Sequence, residues 1–230
     1  GGAGAGNGNS RGGFEVRIRR RARYVDEDRC TACGLCAEKC PVKIPDSFNR
    51  GIVDTKCIGI PYAQAVPAVF RIDAEHCLYL TKGKCGNCAK VCLAEAVDFR
   101  QTDRLETGTF DSVILAAGCQ EYTPSIRPEF GYGIYANVIT SIEYERLLSA
   151  SGPTGGQILR PSDAAEPRRI AFLQCVGSRD PAAADRGYCS SYCCMQATKD
   201  AVITREHLPE SEAAIFYIDL RAFGKDFDKF

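Results

Sequence analysis

The sequence predicts a chain of mixed α+β and α/β class in two parts, a small cysteine-rich segment followed by a segment built round a parallel strand pair. Three observations carry this. Cysteines crowd at 30, 33, 36 and 40 in "CTACGLCAEKCP" and recur at 77, 85, 88 and 92. Residues 30 to 99 hold prolines at 41, 45, 61 and 67 with only short strand-like pieces between them. Beyond residue 167 the order is strand, helix, strand, with apolar strands, the pattern of a crossover in a parallel sheet.

Each element follows in turn. The opening "GGAGAGNGNS" is low-complexity, has no initial Met, and makes residues 1–12 a flexible lead-in. "FEVRIRRRARYV", residues 14 to 25, alternates as a strand at first; its arginines read either as a solvated face or as a basic collar beside anionic metal clusters. Residues 13–108 then form a small domain, with strand pieces "VFRID" and "AVDFR", held together by something other than a large apolar core. Residues 109–230 form the α/β part. There "TFDSVILAAG" reads as a buried strand entering a tight turn. "TSIEYERLLSASGP" reads as a helix stopped at Gly-Pro. "RRIAFLQCVGSRD" and "AAIFYIDLRAFG" read as buried strands flanking a helix that starts in "CSSYCC" and ends before Pro209, joined by a right-handed crossover. The chain stops before a sheet of ordinary width is complete, which predicts a piece of a longer protein.

With 29 basic and 29 acidic residues, no net field argues for nucleic acid or an anionic membrane. Apolar runs such as "SVILAA" fall far short of the roughly 18 residues of a membrane span. No export signal precedes the cysteines, so a cytoplasmic setting is expected, where thiols serve as metal ligands or redox groups rather than in disulfides.

Cys30, Cys33, Cys36 and Cys40, followed by Pro41, match C-x2-C-x2-C-x3-C-P. Three thiolates on such a loop hold corners of a [4Fe–4S] cube and the fourth serves a neighbouring cluster. Cys85, Cys88 and Cys92 repeat the end of that pattern, with Cys77 before them. The crossed assignment gives Cys30, Cys33, Cys36 and Cys92 to one cluster and Cys77, Cys85, Cys88 and Cys40 to the other. A zinc ribbon on Cys30, Cys33, Cys85 and Cys88 is the competing reading, and it leaves four cysteines without a purpose. Cys175, Cys189, Cys193 and Cys194 obey no ferredoxin spacing. By position they lie at a strand end and a helix start, and they read equally as ligands of a third cluster or as small buried residues. Cys57 and Cys119 read as packing thiols, and His76 and His207 as surface or cap residues.

With these motifs in place, the chain resembles the A subunit of heterodisulfide reductases, an iron–sulfur flavoprotein family. The likeness runs from about Gly13 to Phe230 through "RYVDEDRCTACGLCAEKCPVKIPDSFN", "PYAQAVP", "GYGIYANVITSIEYERLLSASGPT", "RPSD", "CVGSRD", "YCSSYCCMQATK" and "DLRAFGK". The resemblance implies a two-[4Fe–4S] ferredoxin-like insert within an incomplete thioredoxin-reductase-like FAD/NAD(P)-type domain. It implies a third cluster on Cys175, Cys189, Cys193 and Cys194 near the flavin. Ala116, Ala117 and Gly118 stand where the family reads Ala-Thr-Gly beside FAD, so a hydroxyl is lost, and the G-x-G-x-x-G fingerprint of the FAD half is missing. Lys199 is implied beside the flavin, as a cation that stabilises its reduced form and so takes a catalytic role. Implied partners are other heterodisulfide reductase-type subunits, a hydrogenase or formate dehydrogenase module, and ferredoxin. The alternatives are a non-catalytic ferredoxin-like electron carrier and the flavoprotein subunit of a quinone-interacting oxidoreductase.

Overall fold

The computed structural model describes residues 13–118, 120–122, 127–183 and 185–229. Two compact units emerge, one from residues 13–44 and 56–118, the other from 45–55 and 120–229. Cys119 lies outside the described residues.

In the first unit, β1 (Phe14–Arg20) pairs antiparallel with β6 (Arg104–Phe110), from Phe14 opposite Phe110 to Arg20 opposite Arg104. The arginines of this ribbon are exposed, and Arg17 and Arg20 pair with Glu15 and Glu106. A second small sheet joins β4 (Ile58–Gly59) to β5 (Arg71–Ile72), and Val25 bridges Val97. Between these lie three one-turn helices, α1 (Leu35–Glu38), α2 (Leu78–Lys82) and α3 (Asn87–Lys90). The apolar core is small: Val25, Cys57, Ile58, Val69, Phe70, Ile72 and Ala96, with Cys30, Cys36, Cys40, Cys77, Cys88 and Cys92 packed against it. Sulfur takes the place that Leu and Ile hold in an ordinary core of this size. β2 (Lys43–Pro45) and β3 (Asp54–Lys56) pair as the neck of the 45–55 loop.

In the second unit, α4 (Ser141–Leu148) starts in a capping box, as the T-x-x-E spacing of Thr140 and Glu143 dictates. Thr140 Oγ1 accepts from the Glu143 N–H at 3.3 Å, and Glu143 Oε2 accepts from the Thr140 N–H at 2.6 Å. The helix buries Tyr144 and Leu147, three residues apart on one face. Its exit requires glycine at 152, where a Cβ would fall 1.8 Å from the Arg146 carbonyl oxygen. β7 (Arg169–Leu173) and β8 (Glu212–Phe216) pair in parallel, with α5 (Cys193–His207) between them in sequence. α5 buries Cys194, Ala197, Asp200 and Thr204, and it ends as expected just before Pro209. Tyr144 joins the layers, its hydroxyl 2.6 Å from Thr204 Oγ1 and its ring edge-on to Phe172 at 5.6 Å.

Two expectations need correction. The strand expected at 109–118 ends at Phe110, and Ile114 and Leu115 are 89% and 90% exposed. Its partner β1 begins at Phe14, opposite Phe110, so no neighbouring backbone continues the ladder among the described residues. The two parallel strands are also half-open rather than buried, with Leu173 and Phe216 exposed. Among the described residues no further strand pairs with β7 or β8, so both edges of the pair stay open.

Thr140→Ala should cost the second unit about 1 kcal/mol, the usual worth of an N-cap side chain, read as a lower midpoint in urea unfolding followed by helical circular dichroism.

Candidate metal centre

The two cysteine loops are one device built twice. In each, an aspartate opens a turn that delivers the first cysteine. Asp26 Oδ1 accepts from the N–H groups of Asp28 and Arg29, and the Asp26 carbonyl accepts from Cys30 N–H at 3.1 Å. Asp73 does the same for Glu75, His76 and Cys77, also at 3.1 Å for the last. Next, a left-handed glycine caps a one-turn helix: Gly34 (φ 85°) before α1, Gly86 (φ 81°) before α3. Each lies between two cysteines, in Cys33-Gly34-Leu35-Cys36 and Cys85-Gly86-Asn87-Cys88. Glycine is needed because φ near +80° is strained for any residue with a Cβ. α1 and α3 contact each other. Asp26 and Asp73 were not anticipated from sequence; the repeat D-x-x-x-C at 26/30 and 73/77, each after a β-branched residue, was the available signal.

Cys40 from the first loop lines one cavity with Cys77, Cys85 and Cys88 from the second. Pro41, Val42, Ile58, Ile72, Leu78 and Tyr79 complete apolar walls, and Cys57 is a fifth sulfur on the same cavity. The Tyr79 ring stacks on Phe99 at 3.9 Å and lies over Gly86. Lys56 Nζ donates to the Cys40 carbonyl at 2.6 Å, which anchors the fourth cysteine of the first loop.

Burial pushes the Cys36 thiol up to about 11, against a backbone N–H from Ala37, with Cys30, Cys88 and Cys33 adding to the rise. Cys88 is likewise pushed to about 11 by burial, opposed by the Ala89 N–H and reinforced by Cys77 and Cys40. Cys57 rises to about 12, first through burial and then through Cys77 and Cys40. Ala96 N–H donates to Cys92 Sγ at 3.3 Å. Sulfurs so placed cannot all ionise by themselves. A polynuclear iron centre would supply the positive charge that makes them thiolates, and N–H groups from Ala37, Ala89 and Ala96 are in place to stabilise the thiolate charge. The donor set therefore fits an iron–sulfur cluster. Among the described residues no three Cys, His, Asp or Glu side chains converge to the spacing of a single bound ion. A cube of four irons spreads its thiolates, one to a corner.

Of the third cysteine group, Cys175 follows β7 in a left-handed conformation (φ 61°), and Cys193 and Cys194 open α5. Cys194 is buried, with Sγ 3.9 Å from the Asp219 carbonyl oxygen. Cys193 Sγ lies 3.2 Å from Ser190 Oγ, and Cys189 Sγ accepts from Ser191 N–H at 3.4 Å. The neighbouring loop is pinned by Arg127 on Asp180 at 2.9 Å and by Arg179 on Asp219.

Ala116, Ala117 and Gly118 are exposed, and Gly118 (φ 75°) has open space where a side chain would be. Lys199, on α5, is half-exposed and closes on two carboxylates of its own unit, donating to Glu145 and standing 3.2 Å from Asp200 Oδ1. Burial works against its charge, and Glu145 and Asp200 carry it above its usual value. Asp200 itself is 1% exposed, and its Oδ1 lies close to the ammonium without a hydrogen bond of good direction. Burial, then the charge of Glu145, raises Asp200 to about 7 despite Lys199. His76 turns its ring to Asp73, Nδ1 to Oδ1 at 2.9 Å.

With this geometry in place, comparison with known proteins gives the class of the first cysteine loop: residues 23–46 match the model of the 4Fe-4S binding domain, so a ferredoxin-type iron–sulfur segment is present. The chain is 45% identical over 222 residues to the iron-sulfur A subunit of the CoB–CoM heterodisulfide reductase of Methanocaldococcus jannaschii, covering 95% of this chain and 32% of that protein. Identity is 51% over 219 residues to the corresponding polypeptide of Methanopyrus kandleri, with the same coverage. It is 44% over 219 residues to the A subunit of the H2/formate:CoB–CoM heterodisulfide,ferredoxin reductase of Methanococcus maripaludis, again 95% and 32%. The chain is thus a homologue of the heterodisulfide reductase A subunit, an oxidoreductase family, and spans about a third of the length of the curated relatives it matches. Among the described residues no helix is long and apolar enough to cross a membrane.

The Asp200 carboxyl sets a pH dependence. Its folded pKa, about 7, lies above the roughly 3.9 of an unfolded aspartate, so the folded chain holds the extra proton between those values. This group's contribution to stability is present in full below about pH 4 and is lost as pH rises through about 7. Asp200→Asn should remove that decline and leave the variant on the order of 2–4 kcal/mol more stable than the parent at pH 8, with little difference at pH 4; thermal unfolding at both pH values checks it.

Proposed function

We propose that the chain is the cluster-bearing part of an electron-transfer flavoprotein subunit of heterodisulfide reductase type. The observation that carries the reading is the cavity in which Cys40 of the first loop joins Cys77, Cys85 and Cys88 of the second. On this basis Cys40, Cys77, Cys85 and Cys88 hold one [4Fe–4S] cluster, and Cys30, Cys33, Cys36 and Cys92 hold the other. The single loop that carries Cys30, Cys33 and Cys36 and the Ala96 N–H on Cys92 support the second set. Cys175, Cys189, Cys193 and Cys194 hold a third, a reading supported by Cys175 following β7 and by Cys193 and Cys194 opening α5, the next element. When bound, the clusters supply one-electron transfer, and FAD in the intact protein supplies the exchange between one and two electrons.

The chain's own contribution is to hold these groups in sequence and tune them. Small apolar walls from Ile58, Ile72 and Tyr79 keep water from the second cavity, and backbone N–H groups aimed at the sulfurs set how readily negative charge is carried. The name of the Methanococcus relative includes hydrogen, formate, the CoB–CoM heterodisulfide and ferredoxin. In the whole protein we accordingly assign a hydrogenase or formate dehydrogenase as donor, and a disulfide-reducing partner and ferredoxin as acceptors.

Twelve assigned cysteines at four per cube predict about twelve irons with matching acid-labile sulfide in anaerobically prepared protein; zinc without sulfide overturns the reading. Cys40→Ser should perturb the electron paramagnetic resonance signal of the Cys77, Cys85 and Cys88 cluster, and Cys92→Ser that of the Cys30, Cys33 and Cys36 cluster. The opposite pattern would show that each loop keeps its own four ligands. FAD in the intact protein supports the enzyme, and its absence supports a ferredoxin-like carrier.

A further inference from the structure

Cys57 is outside both cysteine motifs, yet it lines the cavity assigned to Cys40, Cys77, Cys85 and Cys88. It is 3% exposed and is fixed on three sides. Its N–H donates to the Val42 carbonyl at 3.1 Å, its carbonyl accepts from Asp73 N–H at 2.8 Å, and its Sγ–H donates to the Asp73 carbonyl at 3.3 Å. That same Asp73 carbonyl accepts from Cys77 N–H at 3.1 Å. Cys57 and Cys77 therefore hang from one oxygen, the first by its thiol and the second by its backbone. A packing thiol could occupy any dry corner of the core. This one is on the cavity wall, beside the ligand that enters the second loop alone, eight residues ahead of Cys85.

We propose that Cys57 is a reserve ligand of the second cluster, which takes the place of Cys77 when that thiolate is lost. The proposal rests on the ligand assignment above. In the exchange the Cys77 sulfur–iron bond breaks and a Cys57 sulfur–iron bond forms at the same corner, while the Cys57 proton leaves its hydrogen bond to Asp73 and goes to the departing Cys77 thiolate; where Cys77 is replaced, the proton is released as the cluster is assembled. No electron moves, so no oxidant or reductant is required. A thiolate suits iron of a sulfide cluster better than the oxygen donors at hand, since soft ligands select Fe–S centres.

The test uses the whole chain prepared anaerobically, with iron, sulfide and electron paramagnetic resonance of the reduced protein as readouts. The parent and Cys57→Ala should hold equal iron and give superimposable spectra. Cys77→Ala should keep its iron content with an altered second-cluster signal, while Cys57→Ala/Cys77→Ala should lose about four irons and that signal together. Cys77→Ser covers the case in which alanine prevents folding: its spectrum should match that of Cys77→Ala if Cys57 ligates, and Cys57→Ala/Cys77→Ser should differ from it. Loss of the cluster in both single Cys77 variants, or equal retention with and without Cys57, overturns the proposal. A parent without the second cluster overturns the ligand assignment instead, so the two failures are distinct.

Discussion

Burial of thiols beside one another is the constraint on which the first unit depends. Cys36 and Cys88 are each raised to about 11 by burial, with their sulfur neighbours adding to the rise, so at neutral pH these two hold their protons unless a cationic centre replaces them. The apolar core beside them is too small to carry the fold by itself, being seven buried residues of which one is Cys57. On the cluster assignment proposed above, metal binding would be coupled to folding, as in other small metal-held domains.

The two loops meet this constraint with the same local chemistry: an aspartate turn, a cysteine, a left-handed glycine, a one-turn helix. They differ where the repeat is relaxed. Pro41 follows the last cysteine of the first loop and lines the cavity, whereas Leu93 follows Cys92 and is 93% exposed. Cys30 stands three residues before Cys33, but Cys77 stands eight before Cys85, with α2 between. Cys77 hangs from Asp73 as Cys30 does from Asp26, but the Asp73 carbonyl also accepts from the Cys57 thiol, and this makes the second cavity richer in sulfur than the first pattern requires.

The second unit solves a different problem. Its parallel pair has one helix to cover it, and its internal order is carried by polar contacts under that helix: Tyr144 to Thr204, and Lys199 between Glu145 and Asp200. Two carboxylates and one ammonium leave one negative charge in excess, and the buried member, Asp200, answers by holding its proton to about pH 7. Lys199 is thereby tied into a structural triad, and any electrostatic influence it has outside is reduced by the carboxylates it faces.

What the sequence by itself determined was local. The spacing of Cys30, Cys33, Cys36 and Cys40 shapes one loop, T-x-x-E at Thr140 starts a helix, and Pro209 ends another; each depends on residues within a turn or two of each other. The strand, helix, strand order of residues 169–216 was legible for the same reason, because periodicity is written along the chain. Tertiary structure alone decided which residues met across distance. It brought Cys57 to the cavity of Cys77, it ended β6 at Phe110 because β1 began at Phe14, and it closed Lys199 on Glu145, which lies 54 residues away. No spacing rule encodes such meetings, since an ion pair or a shared cavity depends on how whole elements pack, and a lone Cys or Lys has the same appearance in sequence wherever it is carried.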